Sequence, residues 1–324
     1  MMPIEPAVSV VIPLYNKASH IARALDSVFA QSVPPTEVIV VDDGSTDGSG
    51  DVAARYADTG VRLIRQENCG VSAARNRGVA EARTDLIAFL DADDEWKPGF
   101  LSEIMRLKSE FPDCGAYATA EVLTGIDLPS DPRTLRAIPP EPWIGILPSV
   151  FAAFEESTPF NPSSVAIPKA VLTEIGGFAV GMKTWEDIDC WVRIAIKHPI
   201  AFSTARLVVY HKEAENRASL RERTLTELRF TKTIRNAVSG GDIACALQED
   251  ALEFMAYSQL KVAAGNITAG NPRYARMLLL SCRGTRRYAR DWRRLMLQTM
   301  LPPGWPVRLK AVRNAMRTLA GRRE

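Results

Sequence analysis

Three carboxylates follow a short apolar run near the end of the first third of the sequence. Residues 86–97 read LIAFLDADDEWK, so Asp91, Asp93 and Asp94 stand directly after the apolar residues. A short run of Leu, Ile and Phe indicates a buried strand, and open α/β sheets bind ligands at the carboxyl ends of their strands. Carboxylate oxygens at that edge suit Mg²⁺ or Mn²⁺ held jointly with substrate phosphates. For a single D-x-D motif a solvated acidic turn is the more common explanation, so the surrounding sequence must decide.

The segments around this motif alternate between strand-like and helix-like patterns. Strands are predicted at residues 8–12, 38–41, 61–64, 86–90, 164–167 and 201–210, and helices at residues 18–31, 51–57, 71–82, 169–175 and 186–196. This alternation predicts an α/β fold in which a mostly parallel, Rossmann-like sheet is covered by helices. From about residue 218 the chain is predicted to be entirely helical.

Polar or conformationally special residues follow each of the first four predicted strands. They are Pro13, Tyr15 and Asn16 after the first strand, Asp42 and Asp43 after the second, Gly70 and Arg75 after the third, and Asp91, Ala92 and Asp93 after the fourth. Because the strands are predicted to be parallel, all four ends fall on one edge of the sheet. A carboxylate there can accept hydrogen bonds from a ribose or a base, Tyr15 can stack on a base, and Arg75 can neutralise a diphosphate or pair with Asp91. The sequence therefore predicts a nucleotide-diphosphate site with one divalent ion.

Two common nucleotide-binding motifs are absent. A dinucleotide-binding site needs G-x-G-x-x-G after the first strand, and a P-loop needs G-x-x-x-x-G-K-[ST]. The chain has PLYNKA after its first strand and no P-loop sequence, so both classes are excluded. A nucleotidyltransferase is an alternative, because it also combines a Rossmann-like sheet with acidic metal ligands. Its first loop is usually rich in Gly, however, and PLYNKASH contains none.

Six motifs in order resemble those of family-2 glycosyltransferases, which have the GT-A fold. They read VSVVIPLYNKASHIARALDSVFAQ, VIVVDDGSTDGS, ENCGVSAARNRGV, FLDADD, NPSSVAIPKAVLTEIGGF and WEDIDCWVRIA. The resemblance is dense over residues 7–115 and excludes residues 124–162 and the C-terminal third. It implies an inverting transfer of a sugar from a nucleotide diphosphate, commonly UDP, to a glycan or lipid-linked acceptor in the synthesis of surface polysaccharide or glycolipid.

The same resemblance implies roles for the residues of the donor site. Asp43 stands at the position that binds uracil, and the nucleotide pocket is implied to include Pro13, Tyr15, Asn16, Asp42, Gly70 and Ala92. Arg75 would support the base and the acidic motif. Asp91 would approach the ribose, and Asp93 would ligate the metal through the diphosphate. Asp94 competes for that metal role, because the motif here contains a third acid.

The motif WEDIDCW is implied to carry the second half of the reaction. Inversion requires an acceptor hydroxyl to attack from the face opposite the leaving group while a general base takes its proton. Asp187 matches the base, and Trp185 and Glu186 would shape the acceptor site. An ordinary N-terminal carboxylate cap on the helix is the alternative explanation. His211 matches a further metal ligand of some family members, although the Arg that usually stands two residues earlier is Val209 here.

Length and loop composition suggest two regions. The 324 residues are enough for one large domain with an appendage, and the boundary is predicted between residues 1–217 and 218–324. Residues 124–162 contain eight prolines, so they cannot form one regular element. Aromatic residues within that segment favour an ordered, substrate-facing loop; they are Trp143, Phe151, Phe154 and Phe160.

The charge distribution points to a polyanionic neighbour. Residues 271–324 hold 14 of the 40 Arg and Lys but only two of the 38 acidic residues. Residues 301–324 can form a basic amphipathic helix, which suits an anionic membrane surface about as well as packing on its own domain. No nucleic-acid motif accompanies the basic charge, so a nucleic-acid partner is not expected. A non-catalytic scaffold for polyanions or membranes is the remaining alternative function.

The expected location is the cytoplasm, with peripheral attachment to the inner face of the cell membrane. The sequence shows no signal peptide and no run of about 18 apolar residues. Its five cysteines are scattered without metal-ligand spacing, so they are predicted to be reduced packing residues.

Overall fold

A nine-stranded mixed sheet forms the centre of the N-terminal part of the protein. The computed structural model describes residues 7–124, 137–155, 158–211 and 225–301. The chain divides into two compact units, Met1–Leu220 and Arg221–Glu324. The boundary predicted after residue 217 falls within residues 212–224, which lie outside the described residues.

The first half of the N-terminal unit follows the predicted alternation of strands and helices. Its elements are β1 (Val8–Leu14), α1 (Ile21–Phe29), β2 (Glu37–Asp42), α2 (Ser49–Ala54), a 3-10 turn (Ala57–Thr59), β3 (Val61–Arg65), α3 (Val71–Glu81) and β4 (Leu86–Phe89). β1 is buried along its whole length, as expected for a strand covered on both faces by helices. α1 buries the stripe at Ile21, Ala24, Leu25 and Val28, a spacing typical of an amphipathic helix on a sheet.

The second half adds strands of both directions. Its elements are β5 (Glu95–Trp96), α4 (Phe100–Glu110), β6 (Ala116–Thr124), β7 (Ile144–Ile146), α5 (Val150–Phe154), a second 3-10 turn (Pro162–Ser164), β8 (Val165–Pro168), α6 (Lys169–Ile175), α7 (Glu186–Lys197) and β9 (Ile200–His211). The strand order is β3-β2-β1-β4-β8-β6-β9-β5, with β7 paired to β9. β3, β2, β1 and β4 are all parallel, and the predicted α/β class is confirmed.

The helix that carries Arg75 lies unusually close to the central strand. A Cβ atom added at Gly78 of α3 would stand 2.3 Å from Cγ1 of Val11 in β1. Glycine therefore permits the close approach of helix and strand at this point. Any larger residue would push α3, and Arg75 with it, away from the sheet.

The proline-rich segment differs from the prediction of a substrate-facing loop. Its described part contains β7, α5 and the second 3-10 turn, and three of its aromatic side chains belong to the core. Phe151, Phe154 and Phe160 are at most 6% exposed. The ring of Phe160 lies 5.5 Å from that of Trp191 in α7. Their apolar area is buried against α7 and the sheet, so they position the site rather than face a substrate.

The second unit is helical in its described part, as predicted. It contains α8 (Arg229–Gly240), α9 (Cys245–Thr268), α10 (Pro272–Ser281) and α11 (Ala289–Gln298). No helix within the described ranges is long and apolar enough to span a membrane. The amphipathic helix predicted for residues 301–324 falls, apart from residue 301, outside the described residues. The cysteines are free, but Cys69 and Cys245 are exposed, so the prediction that all five are packing residues is wrong for these two.

Candidate active site

Hydrogen bonds connect the loop after β1 to the loop after β2 at one edge of the sheet. Asn16 N donates to Ser45 Oγ at 3.1 Å, and Asn16 Oδ1 accepts from Thr46 N at 2.9 Å. Asn16 has a φ of 52°, a left-handed conformation that Asn tolerates better than most residues. Beside it, Tyr15 is 43% exposed, which leaves its ring open for stacking on a base.

The Asp43 carboxylate shapes the loop that precedes α3. Its Oδ1 accepts from Gln66 Nε2 at 2.7 Å and from Cys69 N at 2.9 Å, and its Oδ2 accepts from Gly70 N at 2.8 Å. Gly70 has a φ of 88°, which glycine adopts without steric cost. Asp42 similarly accepts a backbone N–H of the loop after β2 at 2.9 Å. Both aspartates are buried acceptors that hold the loops of this edge, and their contact with a nucleotide stays a prediction.

Two of the predicted donor-site residues have buried side chains. Pro13 lies within β1 and Ala92 is 3% exposed. Their side chains pack in the core, so any contact with a donor is limited to their backbone atoms.

The carboxylates of the acidic motif have separate partners. Asp91 Oδ1 lies 2.8 Å from Nη2 of Arg75, whereas Asp93 Oδ2 lies 2.6 Å from the ammonium nitrogen of Lys17. The backbone carbonyl of Asp93 also accepts from Nη2 of Arg23 at 2.6 Å. Cationic side chains from α1, α3 and the loop after β1 therefore converge on this motif and balance its negative charge.

The third acid of the motif is part of the scaffold. Asp94 is 1% exposed; its Oδ2 accepts from Ser163 Oγ at 2.5 Å and its Oδ1 accepts from His211 N at 3.3 Å. Burial, followed by the charges of Asp91 and Asp93, raises the pKa of Asp94 well above its usual range. Ser163 Oγ also accepts from Asp91 N at 3.0 Å. Asp94 thus fastens the motif to the turn before β8 and to the end of β9, which makes it a poor competitor for a metal.

Arg75 links the two predicted halves of the site. Its Nη2 contacts Asp91 Oδ1 at 2.8 Å, and its Nη1 contacts Glu186 Oε1 at 3.2 Å. Its guanidinium also lies 5.2 Å from the centre of the Phe178 ring, within reach of a cation–π interaction. Arg75 is only 2% exposed, and the two carboxylates raise its pKa although burial opposes this. A buried charge of this kind is stable only while both partners are present.

The side chain of Asn76 and the conformation of Gly177 place the ring of Phe178 next to Arg75. Asn76 donates from Nδ2 to Phe178 O at 2.8 Å and accepts at Oδ1 from Phe178 N at 2.8 Å. The preceding Gly177 has a φ of 67°, and a Cβ atom there would stand 2.6 Å from Asn76 Oδ1. The GGF motif therefore needs glycine at this position, for its conformation and for its space.

The predicted base lies at the N-terminus of α7. Asp187 is in the first turn of the helix, where the positive end of the helix dipole favours an anion. Burial, followed by the charge of Glu186, nevertheless raises the pKa of Asp187 to about 7, while Arg75 acts in the opposite direction. Asp187 Oδ1 accepts only its neighbour's N–H, Ile188 N at 2.7 Å, among the hydrogen bonds found in the described residues. A carboxylate with a pKa near neutrality suits a general base.

The residue before α7 is strained. Trp185 has a φ of 69° and a ψ of 15°, a left-handed conformation that is a genuine outlier for a bulky side chain. Such strain is found where the surrounding structure imposes it, frequently at active sites. Asp189, two residues after Asp187, is fully buried and pairs with Arg193 at 2.9 Å.

The acidic motif suits a divalent ion shared with a diphosphate. Mg²⁺ is typically held by one or two carboxylates and by substrate phosphates rather than by a complete protein cage. The side chains of Asp91 and Asp93 are 28% and 16% exposed. The His211 ring lies beside Glu95, with 3.4 Å between Nε2 and Oε2. No group of three His, Cys, Asp or Glu side chains within the described ranges could hold a metal by itself, so ligation by Asp91, Asp93 and His211 together stays a prediction.

The sequence does not indicate the role of several residues that contact the acidic motif. Lys17 and Ser163 lie inside motifs that the family resemblance covers, PLYNKA and NPSS, but their contacts with Asp93 and Asp94 depend on tertiary structure. Trp96 is a packing residue: it is 3% exposed, and its indole N–H donates to Ser163 O at 2.6 Å.

Solved structures with the same fold support the GT-A class. Residues 1–349 of TarS from S. aureus, crystallised with UDP-GlcNAc, align with a TM-score of 0.61 at 17% identity over 90% of this chain and 80% of theirs. The mannosyltransferase PcManGT from Pyrobaculum calidifontis, in complex with GDP-Man and Mn²⁺, aligns with a TM-score of 0.59 at 21% identity over 91% of this chain and 81% of its own. At such low identity these likenesses establish the fold alone. The protein therefore has an α/β fold of the GT-A class.

Sequence comparisons show which family the N-terminal part of the chain resembles. Residues 9–139 match the family described as glycosyl transferase family 2. EpsH of Bacillus subtilis, named as a glycosyltransferase, is 37% identical over 44% of this chain and 43% of its own length. TuaG of the same organism, named for a glycosyltransferase of teichuronic acid biosynthesis, is 38% identical over 33% of this chain and 43% of its own. The matches span less than half the length of these relatives, and they show that the N-terminal part of this chain is similar to glycosyltransferases of family 2.

Proposed function

We propose that the protein transfers a sugar, with inversion, from a nucleotide-diphosphate donor to a glycan or lipid-linked acceptor. A UDP-sugar is the preferred donor in this proposal. The observation that carries it is the placement of Arg75, which contacts Asp91 of the predicted donor motif and Glu186 of the predicted acceptor motif. One buried cation thus joins the two groups of carboxylates that such a transfer needs.

The donor half of the reaction requires the diphosphate to leave with its charge balanced. Asp91 and Asp93 would hold the divalent ion, which when bound neutralises the diphosphate leaving group. Lys17, now paired with Asp93, is a cation within reach of the same position. Tyr15 offers its exposed ring to the base. The GDP-Man and Mn²⁺ complex of PcManGT, a protein with the same fold, is compatible with this arrangement.

The acceptor half requires removal of one proton. In our proposal a carboxylate oxygen of Asp187 takes the proton of the acceptor hydroxyl. The hydroxyl oxygen attacks the anomeric carbon, and the bond from that carbon to the diphosphate breaks. The partly buried site raises the pKa of Asp187 to about 7, so the ionised form is available near neutral pH and is basic enough to accept the proton. Glu186, fixed by Arg75, and Trp185 would orient the acceptor sugar.

The acceptor class is argued from relatives. TuaG is named for teichuronic acid biosynthesis, and TarS was crystallised with UDP-GlcNAc. We therefore propose a growing surface polysaccharide or its lipid-linked precursor as the acceptor.

A hydrolysis screen tests the proposal. The full chain is incubated with UDP-, GDP- and dTDP-sugars, each with Mg²⁺, with Mn²⁺ and with chelator, and release of the nucleoside diphosphate is measured. We expect turnover of a UDP-sugar that depends on the divalent ion. Release of pyrophosphate from a nucleoside triphosphate, without any turnover of nucleotide sugars, would favour a nucleotidyltransferase instead.

A further inference from the structure

The exposed face of α10 combines arginines with apolar side chains. Arg273, Arg276, Met277 and Leu280 have the spacing i, i+3, i+4, i+7, so they lie on one side of the helix. All four are exposed, and Met277 and Leu280 are 49% and 52% exposed. The opposite side of α10 is buried within the second unit through Ala275, Leu278 and Leu279. We call this exposed side the α10 face.

The next helix repeats this arrangement. Arg290, Arg293, Arg294 and Leu297 of α11 are exposed with the same spacing, 17 residues after their counterparts in α10. This α11 face continues to Met300, which is 59% exposed. α11 is anchored to α10 by the indole N–H of Trp292, which donates to Leu279 O at 2.7 Å. The two helices therefore present faces of similar composition from adjoining positions, with Arg294 in α11 at the place of Met277 in α10.

The charge of these faces is one-sided. Residues 271–301 contain eight arginines and a single acid, Asp291, which lies 2.7 Å from Arg294. A second copy of the chain is a poor partner for such a surface, since like charges would face each other and interface cores are depleted of charge. Single-stranded nucleic acid is also a poor match, because aromatic stacking platforms are needed and Trp292 is engaged with α10.

We propose that the α10 and α11 faces form a docking surface for an anionic lipid bilayer. Guanidinium groups bind phosphate head groups, and the Met and Leu side chains between them enter the boundary between head groups and acyl chains. This surface lies in the described part of the second unit and is separate from residues 302–324. It would hold the protein at the surface where lipid-linked acceptors reside, and it does not depend on the sugar transfer itself.

Vesicle co-sedimentation of the full chain tests the proposal. Vesicles of phosphatidylcholine with about one-third phosphatidylglycerol are compared with vesicles of pure phosphatidylcholine. We expect binding to the anionic vesicles only, weakening between low and high salt because surface charges are screened. Equal binding to both vesicle types, or binding to soluble RNA but not to vesicles, would overturn the proposal.

Matched double variants locate the surface. Arg273→Gln with Arg290→Gln removes one charge from the same position of each helix and should weaken partitioning roughly thirtyfold. Arg55→Gln with Arg83→Gln removes the same charge from exposed sites of the first unit and should change partitioning little.

The apolar residues of the two faces are tested in the same way. Leu280→Ser with Leu297→Ser should also weaken partitioning, in contrast to the control Val180→Ser, at a residue that is 61% exposed. Equal partitioning of the face variants and their controls would refute the assignment. Circular dichroism of each variant excludes loss of folding as the cause.

Discussion

Neighbouring carboxylates acquire different chemistry from their surroundings in this protein. Asp93 and Asp94 are adjacent in sequence, but Asp93 meets the ammonium of Lys17 while Asp94 is buried between a hydroxyl and a backbone N–H. The family resemblance leaves open which of the two ligates a metal. The answer depends on burial and on Ser163, which stands about seventy positions further along the chain, and no local pattern reports it.

Substitution by asparagine should separate these two roles. Because the pKa of Asp94 is raised well above its usual range, the neutral amide of Asp94→Asn mimics the protonated acid and should retain donor turnover within about fivefold. Asp93→Asn should lose at least about a hundredfold and should weaken Mn²⁺ binding in the presence of UDP. Metal titration calorimetry and donor hydrolysis measure both effects. The reverse ranking of the two variants would make Asp94 the ligand.

Lys17 is predicted to compete with a divalent ion for Asp93. Lys17→Met removes the ammonium that lies 2.6 Å from Asp93 Oδ2, so Mn²⁺ should bind roughly fivefold more tightly in the absence of nucleotide. Electron paramagnetic resonance of free Mn²⁺ gives the affinity without any activity measurement. Lys108→Met, in α4, is the control. Unchanged or weaker Mn²⁺ binding in Lys17→Met would show that the ion does not occupy this position.

At the scale of elements, hydrophobic periodicity predicts the strands and helices that support the site. The polar residues that follow the strands predict the edge of the sheet at which the site lies. The α1 stripe and the buried β1 follow from hydrophobic spacing, and they appear as expected. The short β7 and α5 do not, because prolines and a three-residue strand leave no periodicity to detect. The conformation of Trp185 is likewise hidden, since an aromatic residue gives no signal for a left-handed backbone.

Replacing Trp185 by glycine should leave the protein more stable than replacing it by alanine. With a φ of 69°, an L-residue is strained, so Trp185→Gly should be about 1 kcal/mol more stable than Trp185→Ala. Both variants should weaken acceptor binding while leaving UDP affinity near that of the wild type. Chemical denaturation compares the two stabilities. Greater stability of the alanine variant would show that Trp185 does not adopt this conformation in solution.

At the scale of the whole molecule, burying the ionised carboxylate of Asp187 costs free energy of folding that the rest of the fold must offset. The unfolded chain ionises Asp187 near pH 3.9, whereas the folded protein does so at about 7. The folded state therefore holds a proton that the unfolded state releases, and stability falls as the pH rises between these values. The resemblance to family-2 glycosyltransferases is visible in the ordered motifs of the sequence. The raised pKa of Asp187 is not, because it depends on burial.

The stability of Asp187→Asn should reveal this cost. The variant carries no charge to bury, so its melting temperature should exceed that of the wild type by about 2–4 °C at pH 8. The difference should shrink as the pH is lowered towards 5, where the wild-type acid becomes protonated. Thermal melts at both pH values provide the measurement. A difference independent of pH would contradict the raised pKa.

The most direct test of the account is donor turnover by Asp187→Asn, measured beside UDP binding on the same samples. In the wild type, kcat/KM should rise with pH up to about 7, because the ionised acid is the base. Asp187→Asn should lose turnover by about 10²–10⁴-fold with UDP affinity within roughly twofold, while Asp58→Asn, at an exposed site, should behave as the wild type. Wild-type turnover by Asp187→Asn, with an unchanged pH profile, would contradict the assignment of the base and with it the proposed joining of the two halves through Arg75.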